Sequence, residues 1–184
     1  VQQPGKPDSE WTTHLRRERS RRGFVFAYGH NLKLELLDCF DGYLLNFHGS
    51  ILPRYRGASP VETAIAEGDG ETGISLMRVV RQMDAGPVAA VERVSIHPSM
   101  TGPDLRSELS RAAVRCVERE WSRIRDRGLT FVDQDEKEAT YVRRLRKEDA
   151  ALDFRKSGAE LARRIRAFAG WPGSWFEWIP SGRE

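Results

Sequence analysis

The chain has 184 residues, 39% of them hydrophobic and 31% charged, which suits one well-formed core with the edge of a second unit. Lys and Arg exceed Asp and Glu only by 30 to 27, so where the charge lies says more than its sum. No apolar run approaches the length of about 18 residues that a membrane helix needs, and the two cysteines, Cys39 and Cys116, lack the spacing of a zinc site or a disulfide framework.

Taken in chain order, residues 12–22 (TTHLRRERSRR) read as a short basic helix stopped by Gly23. The compact apolar run Phe24-Val25-Phe26-Ala27 comes next as a buried strand. Residues 32–39 predict a short helix, because a strand over 43–47 comes at once after them. Ser59 can cap a helix, with Pro60 at its first position and Glu62 completing a capping box, and Gly68 ends it. Strands are predicted over 73–79 and 87–96. Over 104–127, Leu105, Leu109, Ala112, Cys116, Val117, Trp121 and Ile124 keep helical period, and Gly128 closes the helix. Residues 134–153 read as a polar linker over the surface. Ser157 and Glu160 predict a second capping box, opening a helix through Phe168. Residues 175–182 look like a strand entering a turn with no return strand, and the chain opens on Val1, so a fragment of a longer protein is expected. Strands alternating with helices argue for an α/β fold with a mainly parallel sheet.

The chemistry gathers at Asn46-Phe47-His48-Gly49-Ser50-Ile51-Leu52-Pro53-Arg54-Tyr55-Arg56-Gly57. Asn46 and His48 are two residues apart at a strand end, so an amide and an imidazole project to one side. Asp84, in the loop Gln82-Met83-Asp84-Ala85-Gly86-Pro87, is the candidate to orient His48 and favour its charged form. The amide and the imidazolium would then meet an oxyanion. Each piece also has an ordinary reading, as a structural His and a common turn. Ser50 lacks the GxSxG elbow of a nucleophile. No GxGxxG or GxxxxGK[ST] stretch points to a nucleotide. The clusters at Arg16-Arg17, Arg21-Arg22, Arg143-Arg144 with Arg146-Lys147, and Arg163-Arg164 with Arg166 suit phosphate or are solvated helix faces.

The stretch NFHGSILPRYRGASPVETAIAEGDGETGISLM, with MDAGPV after it, closely resembles the formyltransferases that use 10-formyltetrahydrofolate. The resemblance implies that Asn46, His48 and Asp84 are the catalytic trio, and that Ser50, Ile51, Leu52 and Pro53 contact the folate. It covers residues 25–178. Ala139-Thr140-Tyr141, the Lys147-Glu148-Asp149 segment and FAGWPGSW (168–175) resemble the branch that formylates methionyl-tRNA. The resemblance further implies a Rossmann-like sheet with flanking helices, incomplete at the N-terminus. Residues 1–133 would be a partial catalytic domain, 134–170 a linker and hinge helix, and 171–184 the start of a truncated β-barrel. The implied co-substrate is 10-formyltetrahydrofolate, without a metal, and the implied partner is initiator methionyl-tRNA, for a cytoplasmic enzyme monomeric at full length. The alternatives are a formyltransferase for a nucleotide-linked amino sugar and an inactive fragment. The 184-residue chain alone is expected to be inactive or unstable. Arg54, Arg56 and the 143–147 cluster are either tRNA contacts or charge at the rim. Tyr28-Gly29 matches a family loop, but His30-Asn31 replaces its usual apolar pair.

Overall fold

The computed structural model describes residues 9–17, 22–26, 32 and 34–178, so Tyr28-Gly29, His30-Asn31 and the turn expected after Trp178 lie outside the described residues. The elements in chain order are α1 (Ser9–Arg17), β1 (Gly23–Val25), α2 (Leu34–Leu37), β2 (Leu44–His48), β3 (Arg56–Gly57), α3 (Pro60–Glu67), β4 (Glu71–Arg78), β5 (Val88–Ser95), α4 (Gly102–Arg125), β6 (Tyr141–Val142) and α5 (Gly158–Ala167).

Four strands form the central sheet in the order β1-β2-β4-β5. Strands β1 and β2 run parallel, joined through α2. The pairs β2–β4 and β4–β5 are antiparallel, so among the described residues the expected mainly parallel sheet is a mixed one. The connection from β4 to β5 explains part of this. It spans only residues 79–87, and a parallel return needs a crossover of about a dozen residues or more.

The main core forms where α4 covers this sheet. Leu105, Leu109, Ala112, Cys116 and Ile124 of α4 are buried with Leu45 and Phe47 of β2 and Ile74 and Leu76 of β4. The buried stripe is narrower than the expected one: Val117 is half-buried and Trp121 is 52% exposed. The position beside Trp121 is instead occupied by Glu120, buried and paired with Arg119 and Arg123. Thr101 caps α4, and the Asp104 carboxylate reaches back to accept from the Thr101 N–H at 3.0 Å. Ala167 and Phe168 bring the end of α5 into the same core. A smaller core joins Leu36, Phe40 and Leu44, with Leu15 and Val25 packed against it.

Helix α3 shows a local prediction overridden by tertiary contact. Ser59 stands at its N-cap, but the hydroxyl accepts from the Leu145 N–H at 3.2 Å and makes no cap bond. Glu62, the expected second half of a capping box, is buried and paired with Arg106 of α4. Gly68 closes the helix at φ 83°, as expected. The Ser157 hydroxyl does cap α5, accepting from the Glu160 N–H.

Residues 134–153 form a strap anchored by a short strand of its own. Strand β6 pairs in parallel with β3, Arg56 opposite Tyr141 and Gly57 opposite Val142. The ladder demands glycine: Gly57 sits at φ 111°, and a Cβ there would fall 2.2 Å from the Val142 oxygen. Further on, the backbones of Leu152 and Trp175 bond at 2.8 Å, and the aromatic side chains of Phe154, Trp171, Trp175, Phe176 and Trp178 are exposed.

Candidate active site

Strand alternation decides what β2 presents. Leu45 and Phe47 belong to the main core, which leaves Asn46 and His48 projecting together from the opposite face. The Asn46 side-chain amide has no hydrogen-bond partner among the described residues, and it lines a cavity of about 870 Å³. His48 lines the same cavity and is otherwise buried, only 6% exposed.

The two ring nitrogens of His48 face different partners. Nε2 lies 2.8 Å from the Tyr55 carbonyl oxygen, which can only accept, so Nε2 carries a proton. Nδ1 lies 3.6 Å from an Asp84 carboxylate oxygen, close enough for charge attraction and too long for a direct hydrogen bond. Nδ1 is therefore the nitrogen on the side of the carboxylate, without a direct hydrogen bond to it.

Asp84 is held from several directions. It sits in the left-handed region at φ 50°, in the loop between β4 and β5. The Gly57 N–H donates to its carboxylate at 2.9 Å, and the Gln134 side-chain amide donates to its carbonyl at 2.8 Å. Two positions on, Gly86 leaves no room for a side chain, since a Cβ would fall 1.8 Å from the Arg78 oxygen. That close approach accounts for a glycine whose sequence context marks only a turn.

The structure brings Asn46, His48 and Asp84 to one cavity, but residues 50–53 do not line it. Ser50 is fully buried, and its hydroxyl donates to the Arg54 carbonyl. The Ser75 hydroxyl donates to the Ser50 carbonyl at 2.7 Å and accepts from the Leu52 N–H at 3.0 Å. Pro53 comes after a cis peptide bond, and its carbonyl accepts from the Thr140 N–H at 3.3 Å. Ile51 leans toward Gly73 of β4. The chain turns away from this cavity after β2, and Ser75 of β4 and Thr140 supply hydrogen-bond partners to the turn.

The arginines also separate by role. Arg56 is not rim charge, since its side chain is 0% exposed and its guanidinium is bound by Glu136, Gln134 and Tyr141. Arg54 is half-exposed and bonds to Asp69 and the Tyr55 hydroxyl. In the 143–147 cluster, Arg143 is taken up by Asp149, and that bond, with the Arg146 N–H, pulls the Asp149 carboxyl down to about 2. Arg144 lines the cavity, as do Arg81 and Arg106, neither of which stands out in the sequence among so many arginines. Val25, Phe26, Phe47, Met77 and Val79 add apolar lining.

An unengaged amide, an imidazole nitrogen and a carboxylate stand at one apolar cavity with a basic margin. That set can bind a carbonyl oxygen as it gains charge and move a proton beside it. Among the described residues, no three His, Cys, Asp or Glu side chains cluster as metal ligands.

Comparison with known proteins points the same way. A family model described as formyl transferase matches residues 2–119, and one described as formyl transferase, C-terminal domain, matches residues 144–183. Over 152 residues the chain is 40% identical to the methionyl-tRNA formyltransferase of Methylobacterium sp. (strain 4-46), covering 83% of the chain and 49% of that relative. The chain thus spans about half the length of the curated relatives it matches. Its fold is similar to that of a likely sugar N-formyltransferase from Mycobacterium tuberculosis, with TM-score 0.77 at 22% identity over 95% of this chain and 77% of that one. It is also similar to HypX from Aquifex aeolicus in complex with tetrahydrofolic acid, with TM-score 0.74 at 17% identity over 89% of this chain and 29% of that one.

Proposed function

The chain belongs to the formyl transferase family, and from that premise we propose that it carries the site for moving a formyl group from 10-formyltetrahydrofolate to the α-amine of methionyl-initiator tRNA. The observation that carries this reading is the convergence of the Asn46 amide, the Nδ1 side of His48 and the Asp84 carboxylate on one cavity. The cavity fits the co-substrate in kind. Its apolar lining of Val25, Phe26, Phe47 and Met77 suits a flat heterocycle, and in this reading the polar trio meets the reacting carbon. The bound folate supplies the formyl group, carried on its N10.

In this reading the Asn46 N–H donates to the formyl oxygen as the attacking amine adds and the carbonyl pair moves onto oxygen. The His48 imidazolium donates from Nδ1 to the same oxygen, while the Tyr55 carbonyl fixes the ring through Nε2. Asp84 takes the proton that the amine loses and returns it to the departing nitrogen, so one N–C bond forms, one breaks and no proton is left over. Arg81 and Arg144, which line the cavity, favour a polyanionic acceptor. The methionyl-tRNA branch rests on the relatives of about 40% identity and on the second family match. A role in cytoplasmic translation initiation is the consequence of that acceptor.

The test is formyl transfer by the chain, extended to its relatives' full length, with methionyl-tRNA and a nucleotide-linked amino sugar offered in parallel. Asn46→Ala, His48→Ala and Asp84→Ala should each lower turnover on the tRNA roughly 100-fold or more. Preference for the sugar amine would move the chain to the other branch. Near-normal turnover of the Asp84 variant would remove that residue from the chemistry.

A further inference from the structure

Gln134 comes from the segment that reads in the sequence as a solvated linker, yet it uses its whole side-chain amide. Its nitrogen donates to the Asp84 carbonyl at 2.8 Å and to the Gly86 carbonyl at 2.7 Å. Its oxygen accepts from the Arg56 Nε at 2.9 Å. Arg56 is itself immobilised, its two terminal nitrogens forked onto the Glu136 carboxylate at 3.0 and 2.8 Å and one of them also donating to the Tyr141 hydroxyl at 2.8 Å. Beside it, the Arg56 N–H bonds to the Thr140 carbonyl at 2.8 Å and the Ala58 N–H to the Val142 carbonyl at 2.9 Å.

These bonds make one unbroken path. Residues 134–142 grip β3, β3 offers the Gly57 N–H to the Asp84 carboxylate, and Gln134 holds the Asp84 backbone from the other side. Asp84 needs such support, because its left-handed φ of 50° is unfavourable for a residue with a side chain and its carboxylate stands 3.6 Å from His48. A fully buried guanidinium is costly, and the bidentate bond of Arg56 to Glu136 makes the junction of β3 with the strap a rigid one.

We propose that Gln134, locked by Arg56 and Glu136, is a positioning residue that sets the separation of Asp84 from His48, so that the segment after α4 is part of the catalytic apparatus. The inference rests on the assignment of Asn46, His48 and Asp84 as the reacting trio. It gives Gln134 no contact with substrate; the amide acts through Asp84.

Gln134→Glu is the informative variant. It keeps the shape and the oxygen that accepts from Arg56, and it replaces the donor to both loop carbonyls with an acceptor. In the protein extended to its relatives' length, kcat should fall about 10- to 100-fold, as for a displaced catalytic group, with the KM of the formyl donor nearly unchanged. The ¹⁵N chemical shift of His48 Nδ1 should move toward its value in Asp84→Asn. Gln134→Ala should do the same, and Arg56→Lys, which loses the fork, should show a smaller change in the same direction. Wild-type kcat and a wild-type His48 Nδ1 chemical shift in Gln134→Glu would overturn the proposal, as would a loss of melting temperature alone. Asp84→Asn in the same assays separates the two readings. If it leaves formyl transfer intact, the assignment of the trio fails, while matching His48 Nδ1 chemical shifts in the Gln134 and Asp84 variants would still support the positioning.

Discussion

The Nε2 of His48 lies 2.8 Å from the carbonyl oxygen of Tyr55, a residue in the turn just after β2. Backbone oxygen has no proton to give, so this contact selects one tautomer of the ring. Nitrogen-resolved NMR at a pH where the ring is neutral should find the proton on Nε2 and an unprotonated Nδ1. The Nδ1 resonance should respond to Asp84→Asn more than the Nε2 resonance does. A neutral ring protonated at Nδ1 would contradict the assignment of the tautomer.

Ser75 is expected to matter more to stability than to folate binding. Its hydroxyl bridges the Ser50 carbonyl and the Leu52 N–H, both in the turn after β2. Ser75→Ala leaves those two groups buried without partners, which should cost about 2 kcal/mol, read as a lower midpoint in urea unfolding. The KM for the formyl donor should stay within about twofold, because the turn does not line the cavity.

Gly57→Ala should damage the fold and the chemistry together. The added Cβ meets the Val142 carbonyl at 2.2 Å, and alanine resists a φ of 111°. A loss of about 3 kcal/mol is expected from overpacking and backbone strain. Because the Gly57 N–H bonds to the Asp84 carboxylate, residual folded protein should also turn over more slowly than wild type. Equilibrium unfolding and kcat measured on the same preparation would check both parts.

Alkaline stability should report on Tyr55. Burial, aided by its bond to Asp69, pushes the phenol from 10.0 up to about 12. Below pH 10 the phenol is protonated in both folded and unfolded chains and gives no pH dependence. As pH rises from 10 toward 12 the unfolded chain ionises and the folded chain does not, so stability falls through that window. Ultraviolet titration should show one tyrosine ionising late, and Tyr55→Phe should remove that step and flatten the loss of stability. Ionisation of all tyrosines at their ordinary pH would refute the expectation.

Which features are legible in the sequence depends on which forces are local. The spacing of Asn46 and His48 is legible because strand geometry fixes where i and i+2 point. The Asp84 loop is legible because Gly86 and Pro87 mark it, although the reason for Gly86 lies in the distant Arg78 carbonyl. Arg56 misleads because charge normally seeks water, and only the folded chain brings Glu136, Gln134 and Tyr141 around it. Ser59 misleads for a similar reason: its local signal is a cap, but the Leu145 N–H competes for the same oxygen. Gln134 gives no signal at all, since a lone amide in a polar stretch resembles any other.

The pairing of β3 with β6 also bears on the order in which the molecule can be assembled. Arg56 and Tyr141 are 85 positions apart, and Gln134 lies 50 beyond Asp84. On a ribosome, the β4–β5 hairpin can close as soon as it emerges, since its contacts are near in sequence. The seat of Asp84 must wait for residues 134–142 and for closure of the long loops that bring them back. A nascent chain can therefore close the β4–β5 hairpin well before residues 134–142 arrive to hold the Asp84 loop in place.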